Sequence, residues 1–133
     1  MESKAELIPG PDHLITIEAT GDRVVVRANG RIVADSTAAL TLREAGYPPV
    51  QYIPIRDVDE TLLRSSSTTS YCPYKGDASY YSISLPDGDL EDAIWTYRHP
   101  YPAVDAIADH LAFYPDRVEI TVAGDEHTGK QKV

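Results

Sequence analysis

At 133 residues, with 42% hydrophobic and 25% charged residues, the chain has the size and composition of one ordinary globular domain. Its net charge of −9 argues against sequence-independent binding to nucleic acid and against binding to an anionic membrane surface. No apolar run approaches the roughly 20 residues that span a bilayer. The single cysteine excludes an internal disulfide, and we therefore expect a cytoplasmic domain.

The first third of the chain predicts a leader followed by a β-meander. Residues 1–13, which contain two prolines and a glycine, predict a flexible leader. Residues 14–19, 23–28 and 31–35 have the apolar patterns of short strands. Asn29–Gly30, between the last two, favours a type I′ hairpin turn, because this turn needs a positive φ at both central positions. We expect these three strands to pair in sequence.

Residues 37–65 contain several prolines and a segment in which apolar residues alternate with polar ones. Residues 37–45 fit either a helix with a glycine cap or a strand, and the alternating leucines favour the strand. Three prolines between positions 48 and 54 exclude a long helix and predict an extended, edge-like segment. Asp57, with Glu60 three residues later, is typical of a helix start, so we predict a short helix over residues 57–65.

The second half alternates between strands and one further helix. The predicted elements are a hairpin over 68–74 and 78–85, a strand over 93–98, a helix over 102–111 and a closing strand over 116–122. We therefore expect one mainly β domain over residues 14–123, followed by a frayed tail over 124–133. Its fold should be an antiparallel sheet in a barrel-like or tent-like arrangement, with two short helices.

The segment 68–81 collects four tyrosines, the only cysteine and a lysine in a glycine turn. In a strand, Cys72 and Tyr74 point to one face, and Lys75 follows in the turn. An ammonium group beside the thiol would favour the thiolate, which is the nucleophilic form of cysteine. A buried structural cysteine with packed tyrosines explains the same residues, and the segment alone favours that explanation.

Aromatic side chains predict a second wall of a pocket, in addition to the one that Cys72, Tyr74 and Lys75 would form. Trp95 and Tyr97 share a strand face, an arrangement that more often packs a core than binds a ligand. Nine of the eleven aromatic residues are tyrosines, whose hydroxyls need partners when buried, and this favours a partly wet cavity. Arg117 either pairs with Asp116 in a turn, which we favour, or holds a carboxylate or phosphate with its planar fork.

The remaining polar residues give weaker signals. Asp57 and Asp59 have the spacing of a carboxylate pair for Mg²⁺, but the helix cap explains Asp57 better. One cysteine and four scattered histidines do not form a zinc pattern, and no glycine-rich phosphate loop or nucleophile-elbow serine is present. We expect neither a metal nor a cofactor.

Several stretches together resemble the domain-of-unknown-function family 427. They are VADS at 33–36, GYPPVQYIP at 46–54, YCPYKG at 71–76, AIWTY at 93–97 and LAFYPDRVEI at 111–120. The resemblance covers residues 14–122 and implies a compact, mainly β, bacterial-type domain of unsettled function. One name in use for the family is nucleotidyltransferase-like, but the glycine–serine turn expected beside a carboxylate pair is missing here.

The resemblance also carries signature positions onto this chain. These are Cys72, Pro73, Tyr74, Lys75, Gly76, Trp95, Tyr97, Tyr114, Pro115, Asp116 and Arg117. The stretch RHPYP at 98–102 departs from the usual form at His99 and Tyr101, so ligand preference would differ from that of relatives if this loop lines the pocket.

Three functions are consistent with these residues. The first is a small-molecule-binding domain with an aromatic pocket, in which Lys75 at the rim and Arg117 hold an anionic group; its residues would be Tyr52, Tyr74, Lys75, Trp95, Tyr97 and Arg117. The second is an enzyme that uses Cys72 with Lys75, or one that transfers nucleotidyl groups. The third is a homodimeric interaction protein with exposed tyrosines at its interface. We rank them in this order.

Overall fold

The computed structural model describes residues 5–123 and confirms a mainly β domain. Within these residues, ten strands form two antiparallel sheets, and three short 3₁₀ helices lie in the connections between strands of the larger sheet. The strands are β1 (Ile15–Ala19), β2 (Val24–Ala28), β3 (Arg31–Ser36), β4 (Leu40–Glu44), β5 (Val50–Pro54), β6 (Leu63–Cys72), β7 (Gly76–Ile83), β8 (Leu90–Thr96), β9 (His110–Phe113) and β10 (Glu119–Val122). The 3₁₀ helices span Ile55–Asp57, Glu60–Leu62 and Pro102–Ile107. The predicted tail over 124–133 and the first four leader residues lie outside the described residues.

The strand order separates the N-terminal strands into different sheets. The large sheet has the order β1-β4-β5-β9-β8-β7-β6, and the small sheet has the order β10-β2-β3. The predicted strand over 37–45 is confirmed as β4, and Asn29 and Gly30 have the expected positive φ values of 50° and 83°. The predicted meander is wrong, because β1 pairs with β4 and not with β2. The valines of β2 are buried in succession, whereas β1 has no buried residue and is half-buried only at Ile15 and Ile17, so the two strands suit different environments.

The two predicted helices are shorter than expected. Residues 60–62 form one 3₁₀ turn, whose cap is Asp59 and not Asp57, and Leu63 already begins β6. The helix over 102–111 ends at Ile107 after a kink at Val104, and β9 follows. Because the helical spacing of apolar residues also suits a 3₁₀ turn followed by a strand, it predicted the burial correctly and the geometry wrongly. None of the described helices is long and apolar enough to cross a membrane.

Two apolar clusters lie on opposite faces of the large sheet. Neighbouring residues alternate between them, as Ile53 and Tyr52 do on β5, because successive strand residues face opposite ways. The first cluster fills the space between the sheets, and its fully buried members include Val24, Val26, Ile53, Ile83, Ile94 and Leu111. The second lies beneath the 3₁₀ helix and contains Leu42, Tyr52, Tyr97, Val104, Ile107 and Ala112.

Candidate functional site

A cavity of about 710 Å³ opens where β5 and β9 separate. These strands pair only at Ile53 with Leu111 and at Pro54 with His110. The segments 50–52 and 113–115 therefore diverge, and their side chains face each other across the gap. The lining is mostly apolar and aromatic: Leu42, Tyr47, Pro48, Pro49, Val50, Tyr52, Tyr80, Trp95, Tyr97, Phe113, Tyr114, Pro115, Ile120 and Val122, with Glu44, Gln51, Cys72 and Lys75 as its other members.

Trp95 is the centre of the aromatic wall. Its indole meets the Tyr52 ring edge-on at 6.4 Å and the Tyr114 ring at 4.5 Å between centroids. The indole Nε1 donates a hydrogen bond of 3.2 Å to the Tyr52 hydroxyl oxygen. Burial raises the pKa of Tyr52 far above its ordinary value, so this phenol stays neutral and keeps its proton. Two of the three rings are thus fixed by a directional bond as well as by packing.

A buried ion pair forms the polar end of the cavity. The Lys75 Nζ lies 2.7 Å from Glu44 Oε1, and the side chains are only 9% and 11% exposed. His13 Nε2 lies 2.6 Å from the other oxygen of Glu44, and the His13 ring stacks on Tyr74 at 4.1 Å. Burial alone raises the pKa of Glu44, but the hydrogen bonds from Lys75 and His13 outweigh it. The pKa of Glu44 therefore lies below its ordinary value, and this carboxylate is ionised at neutral pH.

The Cys72 thiol is part of the same wall. Its Sγ lies 3.5 Å from the Lys75 Nζ, and the half-buried side chain lines the cavity. The predicted neighbour of the thiol is therefore in place, although the ammonium is shared with Glu44. The imidazole of His13 binds Glu44 and not the sulfur.

Tyr97 contributes a hydroxyl without a partner. The side chain is 7% exposed and lines the cavity beneath the Lys75 ammonium, which lies 6.0 Å from the ring centroid. Among residues 5–123, the Tyr97 hydroxyl forms no hydrogen bond. Burial raises the pKa of Tyr97 far above its ordinary value, so the hydroxyl keeps its proton.

The structure brings together five of the residues that the sequence singled out. Tyr52, Cys72, Lys75, Trp95 and Tyr97 all line the cavity. Lys75, expected at the rim of the cavity, is buried and paired. Lys75 is buried because the turn that contains it packs under residues 99–101. In this contact the backbone carbonyl of Lys75 accepts a hydrogen bond from the backbone N–H of Tyr101.

Two predicted binding residues lie elsewhere. Tyr74 stacks on His13 and does not line the cavity. Arg117 donates to the Glu91 carbonyl at 2.8 Å and lines a smaller, polar hollow of about 330 Å³ with Asp116. Tyr80 and Tyr114 line both spaces and form the partition between them.

His99 and Tyr101, the two residues that depart from the usual form of the family, contact the turn at Gly76, and Tyr101 also contacts Tyr71, which binds the leader at Ala5. The Tyr101 hydroxyl lies 2.6 Å from the Tyr71 hydroxyl, which donates to the carbonyl of Ala5 in the leader. The backbone of His99 passes over Gly76, where a Cβ atom would lie 3.5 Å from the His99 carbonyl oxygen. Neither residue lines the cavity.

Sequence reasoning missed Glu44 and His13. Glu44 ends a strand and His13 lies in the leader, and each lies 31 positions away from its partner along the chain. A contact over such a distance leaves no local pattern.

The predicted carboxylate pair has structural roles. Asp57 accepts from the Ser36 hydroxyl at 2.6 Å, and Asp59 accepts from Thr61 in the following turn. Within residues 5–123, no group of three or more His, Cys, Asp or Glu side chains is arranged to hold a metal ion.

One comparison with known proteins gives a match. A family model described as Domain of unknown function (DUF427), with the short name NTP_transf_9, matches residues 16–124. This range contains every residue that lines the cavity and all of both sheets except Ile15, the first residue of β1. No curated protein matches the chain.

Proposed function

The chain belongs to the domain-of-unknown-function family 427, and we propose that it is a binding domain for a planar, mostly apolar small molecule. The aromatic cavity carries this proposal. Its volume of about 710 Å³ lies within the range of ligand pockets, roughly 300–1,000 Å³, and its lining is apolar with a few polar groups, as in most such pockets. The Trp95 indole and the facing prolines would hold a flat ring between them.

The single tryptophan makes the proposal directly testable. Its indole N–H gives one resolved signal in a ¹H–¹⁵N spectrum, and that signal lies in the cavity wall. We expect neutral bicyclic aromatics such as quinoline to shift it in a saturable way. Replacing Val50 by tryptophan would fill the cavity mouth and should weaken binding at least tenfold, with the original indole signal still present as the reporter.

Arg117→Ala is the matched control, because Arg117 lines the polar hollow and not the cavity. This variant should bind quinoline with unchanged affinity. Saturable binding that Arg117→Ala weakens and Val50→Trp leaves intact would place the ligand in the hollow and contradict the proposal.

A second candidate is an enzyme whose nucleophile is Cys72. The observation in its favour is the thiol in the cavity wall with an ammonium 3.5 Å away. An open, electropositive site predicts fast alkylation by iodoacetamide in the folded protein and slower alkylation in Lys75→Met. Alkylation only upon unfolding would exclude this activity and leave the binding function untouched.

The remaining expectations are part of the same proposal. A cytoplasmic, bacterial-type protein is consistent with the free Cys72. A homodimer through exposed tyrosines such as Tyr47, which is 65% exposed, stays a prediction that sedimentation over a range of concentrations would test. An anionic ligand group also stays open to test, although the pairing of Lys75 with Glu44 favours a neutral ligand.

A further inference from the structure

The carboxylate and amide oxygens that line the cavity already have donors. Glu44 accepts from Lys75 with one oxygen at 2.7 Å and from His13 with the other at 2.6 Å. The Gln51 oxygen accepts from the Thr20 hydroxyl at 2.6 Å. A ligand that offers only donors would have to displace one of these bonds or use a tyrosine hydroxyl oxygen as its acceptor.

Three donors at this end of the cavity remain available. The Tyr97 hydroxyl has no partner among residues 5–123, although the side chain is more than nine-tenths buried. The Tyr52 oxygen accepts from Trp95, which leaves the Tyr52 proton to be donated. Lys75 has three N–H groups, and its described bonds, to Glu44 and Cys72, use two of them. A ligand that covers such a donor gains by offering it an acceptor, because a hydrogen bond left unmade costs more than a made one returns.

The charges at this end of the cavity cancel. The ammonium of Lys75 and the carboxylate of Glu44 form one neutral pair, in which the pKa of Glu44 lies below its ordinary value. An anionic ligand would leave water for an apolar cavity without a free counter-charge, which is costly. A neutral acceptor avoids this cost.

We propose that the ligand is an aromatic compound with a neutral oxygen acceptor, such as a ketone, lactone or quinone carbonyl. The ring lies against Trp95, and the carbonyl oxygen accepts from the Tyr97 hydroxyl and the remaining N–H of Lys75. This inference rests on the proposed binding function and names the ligand class for the same cavity.

The test compares three probes of similar size: acetophenone, ethylbenzene and benzoate. Each is titrated into the wild-type chain while the indole N–H signal of Trp95 is followed. We expect acetophenone to bind about five- to tenfold more tightly than ethylbenzene, which is the value of about one hydrogen bond, and more tightly than benzoate. In Tyr97→Phe the preference for acetophenone over ethylbenzene should fall at least threefold. Tyr81→Phe, which removes a hydroxyl outside the cavity, should keep the full preference.

The outcomes separate this inference from the binding function. Equal affinity for acetophenone and ethylbenzene, or tightest binding of benzoate, would overturn the ligand class and leave the aromatic cavity as a binding site. A preference that survives in Tyr97→Phe would overturn the role of this hydroxyl. If none of the probes shifts the signal, the binding function fails together with the inference. The wild-type comparison does not depend on any variant folding, and Tyr97→Phe should melt no earlier than the wild type because it removes no described hydrogen bond.

Discussion

Replacing Lys75 by methionine tests the buried ion pair at the polar end of the cavity. Methionine keeps an unbranched apolar side chain of similar length and removes only the charge and its hydrogen bonds. The ammonium it removes lies 2.7 Å from Glu44, and the two side chains are 9% and 11% exposed. The variant therefore leaves a buried carboxylate with one of its two partners missing.

The expected loss follows from this geometry. Removing one member of a buried ion pair costs about 3–5 kcal/mol, because the other charge stays buried without compensation. His13 still binds the second oxygen of Glu44 at 2.6 Å and partly compensates it. We therefore expect Lys75→Met to lower the free energy of unfolding by about 2–3 kcal/mol at pH 7, which is at or just below the lower end of that range. This is a large fraction of the roughly 5–15 kcal/mol that stabilises a domain.

The assay is urea unfolding followed by the fluorescence of Trp95, carried out as a double-mutant cycle. Glu44→Gln and the double variant with Lys75→Met complete the cycle. The double variant buries no charge at this place, so it should be more stable than Lys75→Met alone. Arg23→Met is the control, since Arg23 pairs with Asp35 at 2.6 Å on the exposed surface, where loss of an ion pair changes stability little.

The pH dependence gives a second, independent check. In the wild type the pKa of Glu44 is lowered on folding, so its stabilising contribution is complete above the unfolded value of about 4.3 and is lost as the pH falls through the folded value. In Lys75→Met the buried charge of Glu44 is poorly compensated. Protonation of Glu44 as the pH falls therefore relieves the free-energy cost of burying that charge. The difference in the free energy of unfolding between the wild type and Lys75→Met should shrink from pH 7 to about pH 4. A difference that stays constant, or a double variant as unstable as the single one, would refute the reasoning.

Three further predictions concern the scaffold around the cavity, each measured by urea unfolding. Gly76→Ala should lose about 2 kcal/mol and more than Gly21→Ala, because the φ of 111° at Gly76 lies further from the left-handed helical region at about 57° than the φ of 84° at Gly21; equal losses would contradict this. Ile94→Ala should lose about 3 kcal/mol from the core between the sheets, while Ile32→Ala at an exposed position should change little; similar losses would contradict the placement of the core. Tyr52→Phe should lose about 1 kcal/mol, because the indole N–H loses its acceptor; an unchanged stability together with an unchanged indole N–H shift would show that the bond is absent in solution.

Local patterns in the sequence predicted most of the strands. The Asn29–Gly30 turn, the strand over 37–45 and the hairpin around Lys75 follow from turn chemistry and from a two-residue period, which act over neighbouring residues. The aromatic wall was predicted for the same reason, because Trp95 and Tyr97 share a strand face in any register.

Pairing between distant segments could not be predicted in this way. The partner of β1 is β4, about 25 residues further along the chain, and the choice depends on which apolar face each strand has to cover. The same holds for the polar end of the cavity, where Glu44 meets Lys75 across 31 positions. The helical spacing over 102–111 shows a different limit. Apolar positions predict which residues are buried, but a 3₁₀ turn and a strand can bury the same set.

The contacts that fix the two walls of the cavity also explain why a polar contact would decide ligand choice. Tyr52 and Trp95 are held by their own hydrogen bond, and Lys75 is held by Glu44, so these side chains are ordered before a ligand arrives. A ligand therefore meets a small entropic cost in ordering the wall, and flat apolar molecules should bind with similar, modest affinity. Discrimination among them must come from the groups that still lack a partner. Tyr97 carries such a hydroxyl in a side chain that is 7% exposed, so an acceptor placed beside it is the feature by which this cavity would select one aromatic molecule over another.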